Sequence, residues 1–222
     1  MKTLFSAPRA LCAAMLLTVG LGAQAQEIQG DAAAGQKKNA MCIGCHGIHG
    51  YQASFPEVHK VPMIAGQNAK YIANSLAAYK KGERKHPTMR GIAETLSDQD
   101  MADLAVYYEA QGGPKMAVPA SLPTPSPAVA ALLTKGNCAT CHGASYNAPI
   151  DASYPKLAGQ HPDFLYVALK SYQTDKNALV GRGNAIMAAQ AKPYTLAELK
   201  LIAQYMATLP GDVKTVPQSK FK

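Results

Sequence analysis

Two copies of one pentapeptide carry residues whose types and order suit covalent attachment of a metal cofactor. The copies are Cys42–His46 (CIGCH) and Cys138–His142 (CATCH). Two cysteines separated by two residues and followed by histidine form the attachment signature of c-type haem. The thiols add to the vinyl groups of one haem, and the histidine supplies an axial ligand to its iron. The predicted haem-binding residues are four thioether cysteines and two iron-ligating histidines: Cys42, Cys45, Cys138, Cys141, His46 and His142.

Other uses of the cysteines fit this pattern less well. A four-cysteine zinc site usually spaces its pairs by about 15–20 residues, whereas Cys45 and Cys138 lie in different halves of the chain. A thioredoxin-like redox pair follows a strand in a βαβ unit, and no such context is present. Neither a redox pair nor a structural disulfide explains a histidine after both pairs. The sequence therefore favours two covalently bound haems.

The N-terminus has the pattern of a secretory signal peptide. A basic start precedes an apolar stretch from Ala10 to Leu21 and the small-x-small triplet Ala23–Ala25. The apolar stretch is shorter than the ~20 residues that a membrane anchor needs. We expect residues 1–25 to be removed and the mature protein to be periplasmic. Removal also eliminates Cys12, which leaves only the four haem-type cysteines.

The charge of the chain restricts its partners. Loss of two leader charges lowers the formal net charge from +8 to +6. No basic run is interleaved with aromatic residues, so we expect no nucleic acid partner. A modest positive charge suits an acidic partner protein or peripheral association with an anionic membrane surface, or simply solubility.

The chain is predicted to be a duplication joined by a proline-rich linker. The expected boundaries are 26–112 for the first domain, 113–127 for the linker and 128–222 for the second domain. Motifs recur in the same order in both halves, with offsets of 93 to 98 residues: His46 and His142, Ala65–Gln67 and Ala158–Gln160, Arg84 and Arg182, Met89 and Met187. The drifting offsets indicate insertions and deletions in loops.

Each half is predicted to be all-α. Capping residues place helix starts near Asp31, Ser97, Ser126 and Thr195. Apolar spacing predicts middle helices at about 69–81 and 163–174. No strand pattern is evident.

The sixth ligand of the iron distinguishes two classes of haem protein. In an electron carrier a side chain fills this position, whereas in an enzyme the position stays open. Met89 and Met187 are the methionines that the repeat pairs, and each follows an arginine by five residues. We predict that they are the distal ligands, with Met63 as a rival sulfur in the first half. Four histidines are left over without a histidine counterpart, and we expect them to be solvated loop residues: His49, His59, His86 and His161.

Supporting groups around each haem also come in pairs. A ligating imidazole usually donates its other N–H to a fixed acceptor, and Pro62 and Pro155 could supply that carbonyl, or form ordinary turns. Arg84 and Arg182 could pair with haem propionates, or lie solvated on the surface.

These motifs together resemble the dihaem cytochrome c4 family. Each half has Cys-x-x-Cys-His-Gly, then Pro-x-(Ile/Leu)-Ala-Gly-Gln, then Arg-x4-Met, and the likeness covers the mature chain. The resemblance implies two tandem cytochrome c-like helical domains, each wrapped around one haem, with propionates near their interface. It also implies a periplasmic carrier, often membrane-associated, between a quinol-oxidising complex and a haem–copper terminal oxidase.

The expected function is therefore electron transfer without catalysis or a small-molecule substrate. Two alternatives stay open. One is the electron-accepting cytochrome subunit of a periplasmic dehydrogenase of the flavocytochrome type. The other is a dihaem peroxidase-like enzyme, which needs an iron with an open axial position.

Overall fold

The computed structural model describes residues 28–117 and 120–218. The predicted signal peptide and its cleavage site lie outside the described residues. Among the described residues, none of the helices combines the length and apolar character required to cross a bilayer.

The described residues form ten helices, five in each half, which confirms the all-α prediction. Those of the first half are α1 (Ala32–Lys38), α2 (Ala40–His46), α3 (Ala69–Lys81), α4 (Pro87–Glu94) and α5 (Asp98–Ala110). Those of the second half are α6 (Pro127–Gly136), α7 (Cys138–His142), α8 (Pro162–Gln173), α9 (Ala185–Ala191) and α10 (Leu196–Thr208).

The predicted capping residues start the helices. The Asp31 carboxylate accepts from the backbone N–H groups of the first turn of α1. Ser97 and Thr195 each form a complete capping box, with Asp100 and Glu198 respectively. Each box satisfies donors that a helix start otherwise leaves unpaired.

The two halves have separate apolar cores of similar design. In the first, α5 packs against α1 and α3 and buries Leu104, Tyr107 and Tyr108. In the second, α10 packs against α6 and α8 and buries Leu199 and Ile202. In both helices these buried residues recur at the three- or four-residue spacing of one helix face.

The described part of the chain contains four two-residue strands that the sequence did not predict. They are β1 (Gln52–Ala53), β2 (His59–Lys60), β3 (Arg84–Lys85) and β4 (Gly181–Arg182). Strands β1 and β2 pair within the first half, whereas β3 pairs with β4 across the two halves.

The β3–β4 pair shows how the halves meet. Arg84 lies directly opposite Arg182, and these residues are also equivalent in the sequence repeat. A residue that faces its own equivalent lies close to a two-fold axis. The halves are therefore related by an approximate two-fold rotation, and β3 and β4 lie near its axis.

Candidate haem-binding sites

Both cysteine pairs lie on short helices. Residues three apart share one face of a helix, so α2 presents Cys42 and Cys45 together and α7 presents Cys138 and Cys141 together. All four thiols are free of disulfides. Each histidine is the last residue of its helix and follows the second cysteine directly.

Both histidines have the carbonyl partner that the sequence predicted. His46 Nδ1 lies 2.8 Å from the Pro62 carbonyl oxygen, and His142 Nδ1 lies 3.1 Å from that of Pro155. A carbonyl can only accept, so each imidazole donates its Nδ1–H and keeps Nε2 as a lone-pair donor. That tautomer and orientation suit an iron ligand.

The buried surroundings of these imidazoles favour their neutral form. Burial lowers the pKa of His46 and of His142, and the hydrogen bond to proline acts in the opposite direction in each case. The Arg84 charge lowers the pKa of His46 further. Neutral imidazole is the form that binds a metal, so the donor set fits a haem iron.

The two methionines occupy matching positions. Each is the third residue of its helix, α4 or α9, and each backbone N–H donates to the residue that caps that helix. The Met89 N–H donates to His86 Nδ1 at 3.5 Å, and the Met187 N–H donates to Asn184 Oδ1 at 2.9 Å. The equivalence inferred from the repeat therefore extends to local structure.

His86 is not the solvated loop residue that we expected. Its second ring nitrogen, Nε2, lies 3.2 Å from the Phe55 carbonyl oxygen, so both nitrogens have partners in the protein. His59 departs further from that expectation: it is only 4% exposed, and its Nδ1 contacts the Glu57 carbonyl oxygen at 2.8 Å. The alignment of His86 with Asn184, a common capping residue, could have revealed the capping role.

The arginines pack against aromatic rings of the middle helices. Arg84 Nη1 donates to Ser75 Oγ at 2.9 Å and to Tyr71 OH at 3.3 Å, and its guanidinium carbon lies 4.7 Å from the Tyr79 ring centre. Arg182 lies over the Tyr172 ring at 5.4 Å. A solvated surface position is therefore wrong for Arg84.

Arg84 also retains an unused donor. Its buried Nε has no hydrogen-bond partner among the described residues. Burial by itself would raise the pKa of Tyr71, but the charges of Arg84 and Arg182 lower it to about 8. A positive site with an unsatisfied N–H fits an anionic group such as a haem propionate.

Known proteins give independent information on the family. The cytochrome c family model matches residues 32–110 and 128–210. Cytochrome c4 of Pseudomonas aeruginosa is 32% identical over 206 residues, which cover 90% of this chain and 98% of that protein. A thiosulfate dehydrogenase electron acceptor of Stutzerimonas stutzeri is 29% identical and covers 86% of this chain and 93% of its own length. The structure of reduced recombinant cytochrome c4 from Pseudomonas stutzeri is 28% identical, with a TM-score of 0.60, and the match covers 82% of this chain and all of that one.

Proposed function

This chain belongs to the dihaem cytochrome c4 family of electron carriers, and from that membership we propose that it carries electrons in the periplasm from a quinol-oxidising complex to a haem–copper terminal oxidase. Two c-type haems are bound covalently at the cysteine pairs Cys42/Cys45 and Cys138/Cys141. The observation that supports a carrier role most directly is the duplication of the candidate ligands. Each half contains a thiol pair, a histidine with a carbonyl partner and a methionine whose backbone N–H donates to the residue that caps its helix.

In this proposal one histidine and one methionine would hold the iron of each haem. His46 and His142 would supply Nε2, and Met89 and Met187 would supply the thioether sulfur. When bound, haem exchanges one electron between its ferric and ferrous states, and a methionine ligand raises the reduction potential. Such a ligand set would leave no site for a substrate at the iron, so the protein would act as a carrier and not as an enzyme.

Removing each methionine tests the assignment. Met89→Ala and Met187→Ala should each convert one haem of the purified ferric protein from low to high spin and lower its potential. Optical and electron paramagnetic resonance spectra report the spin state. Met63→Leu is the matched control, because it removes the rival sulfur and should leave both haems low-spin. A variant at 89 or 187 with both haems low-spin and unshifted would contradict the ligand assignment at that position.

A second candidate function is supported by one relative. The protein named as a thiosulfate dehydrogenase electron acceptor aligns with 86% of this chain, which favours an acceptor role for a periplasmic dehydrogenase. Mixing the ferric protein with reduced thiosulfate dehydrogenase or with a reduced quinol-oxidising complex separates the two donors by their rates of haem reduction. Carbon monoxide binding to the ferrous protein would instead indicate an open iron and a peroxidase-like enzyme.

A further inference from the structure

Two buried glutamines, one in each half, form hydrogen bonds to the backbone of the opposite half. The Gln67 amide accepts from Lys156 N at 2.8 Å and donates to Lys156 O at 2.9 Å. The Gln160 amide accepts from Met63 N at 3.0 Å and donates to Met63 O at 2.8 Å. Gln67 and Gln160 are equivalent in the repeat, and so are Met63 and Lys156. The exchange is therefore reciprocal about the two-fold axis, and the two residues are only 4% and 3% exposed.

The orientation of each amide follows from its partners. Gln67 Oε1 accepts a second N–H, that of Asn68, at 3.0 Å, and Gln160 Oε1 accepts that of His161 at 3.0 Å. In both glutamines Nε2 faces a carbonyl oxygen, which can only accept. Rotating either amide by 180° would place donors against donors, so each oxygen must point at the backbone N–H of the opposite half.

The residues held by the glutamines directly follow the prolines that contact the histidines. The Pro62 carbonyl and the Met63 N–H belong to one peptide group. The carbonyl accepts from His46 and the N–H donates to Gln160. An unbroken chain of hydrogen bonds therefore runs from an imidazole of the first half to a side chain of the second. The symmetric chain in the other direction consists of His142, Pro155, Lys156 and Gln67.

We propose that Gln67 and Gln160 are positioning residues that tune the reduction potential of the haem in the opposite half. The inference rests on the proposed function in one respect, since it takes His46 and His142 as iron ligands. An acceptor at the N–H of a peptide polarises it and makes its carbonyl oxygen a stronger acceptor. A stronger acceptor at Nδ1–H makes the imidazole a more basic ligand. A more basic ligand stabilises ferric iron, so each glutamine lowers the potential of the haem across the interface.

The proposal gives the interface a role in setting the potentials. The bonds from Gln67 to Lys156 and from Gln160 to Met63 exist only when the halves are packed together, because each of them joins one half to the other. A displacement of one half relative to the other would weaken both chains together. The two potentials would then rise in response to one mechanical change.

The test replaces each glutamine by methionine, which has similar volume and no hydrogen-bonding amide. Gln160→Met should shift the reduction equilibrium of the first-half haem ~3-fold toward the ferrous state. At 59 mV per decade for one electron, this corresponds to a potential ~28 mV higher. The second-half haem should stay unchanged. Gln67→Met should give the reverse pattern. Spectroelectrochemistry of the holoprotein measures both potentials, and the Met89→Ala and Met187→Ala spectra assign them.

Asn68→Ala is the matched control. It removes another hydrogen bond between the halves, from Asn68 Nδ2 to Tyr154 O at 3.0 Å. The Tyr154 carbonyl precedes a proline and therefore has no N–H in its peptide group, so this bond is not part of either chain. We expect neither potential to move. A shift in the haem of the substituted half, equal shifts in both haems, or an equal effect of Asn68→Ala would overturn the inference.

A second variant covers the case in which methionine weakens folding. Gln160→Glu keeps the side-chain volume, and its carboxyl must be protonated because one oxygen faces the Met63 carbonyl. The protonated carboxyl can donate to that carbonyl and accept from the Met63 N–H, so the first-half potential should stay near that of the unsubstituted protein. A shift of the same sign as that of Gln160→Met would count against the proposal. His46→Ala tests the underlying assignment separately. If it leaves the first haem low-spin, the ligand assignment fails, whereas a same-half shift with that ligand intact overturns only the inference about the glutamines.

Discussion

Replacing Lys156 with methionine should destabilise the protein strongly, because this lysine forms a buried ion pair between segments far apart in sequence. Its Nζ lies 2.8 Å from Asp212 Oδ2 and 2.8 Å from the Gly66 carbonyl oxygen. The side chains of the pair are each only 6% exposed. Met63 occupies the equivalent position in the first half, which shows that methionine suits this backbone conformation. The loss of stability in Lys156→Met would therefore reflect the lost charge.

The expected magnitude follows from the burial of the carboxylate that remains. Removing one partner of a buried ion pair costs about 3–5 kcal/mol. Asp212 Oδ1 keeps its hydrogen bond from the Met116 N–H at 2.8 Å, which places the expected loss near the lower end. Lys170→Met is the matched control. Lys170 forms an ion pair with Glu57 of the other half at 3.0 Å, but these side chains are 34% and 38% exposed. Solvent screening limits such a pair to about 1 kcal/mol or less.

Urea unfolding of the ferric holoprotein, followed by far-UV circular dichroism, measures both losses as changes in the free energy of unfolding. The double variant Lys156→Met/Asp212→Asn should recover most of the stability, because it no longer buries an unpaired charge. The reasoning would be refuted if Lys156→Met cost no more than Lys170→Met. It would also be refuted if the double variant were as unstable as the single one.

Three further predictions concern acid stability, a glycine and a helix cap. Burial acts to raise the pKa of Asp212, but hydrogen bonds led by that from Lys156 hold it below the ordinary value. The resulting stabilisation is complete above the unfolded pKa of ~3.9 and is lost as pH falls through the folded pKa. At pH values below about 4, the urea midpoint should therefore decrease more steeply with falling pH than it does in Asp212→Asn. Gly66→Ala should cost clearly more unfolding free energy than Gly50→Ala: both glycines have positive φ, a penalty of about 1–2 kcal/mol for alanine, but only at 66 would the added methyl clash with the Asp212 carbonyl oxygen. Equal losses in the two variants would contradict this account. Asn184→Ala removes the side-chain cap of α9 and should cost about 1 kcal/mol, measured by urea unfolding, whereas an unchanged midpoint would show that the cap is dispensable.

The helices were largely predictable because their starts are encoded locally. Ser97 and Thr195 need only a carboxylate three residues later, and both capping boxes form at the predicted helix starts. The second middle helix begins at Pro162, one residue before the predicted start. The strands could not be predicted in this way. Each has two residues, too few for an alternating pattern, and β3 and β4 exist only because the two halves meet.

The chemistry of attachment and the duplication were determined by the sequence alone. Thioether formation depends on the linear order of two cysteines and a histidine, so the pentapeptides predict two haems without any knowledge of the fold. The repeat likewise paired Met89 with Met187, which remain the proposed distal ligands. These inferences hold because they depend on neighbours in the chain or on comparison of the chain with itself.

The connections between the halves were decided only by the tertiary structure. The repeated Ala-Gly-Gln triplets were visible as markers of duplication, but their glutamines bind residues 89 and 97 positions away. The Lys156–Asp212 pair and the burial of His59 likewise depend on which segments approach each other in space. No local pattern encodes such contacts, because they form only where segments distant in sequence pack against each other.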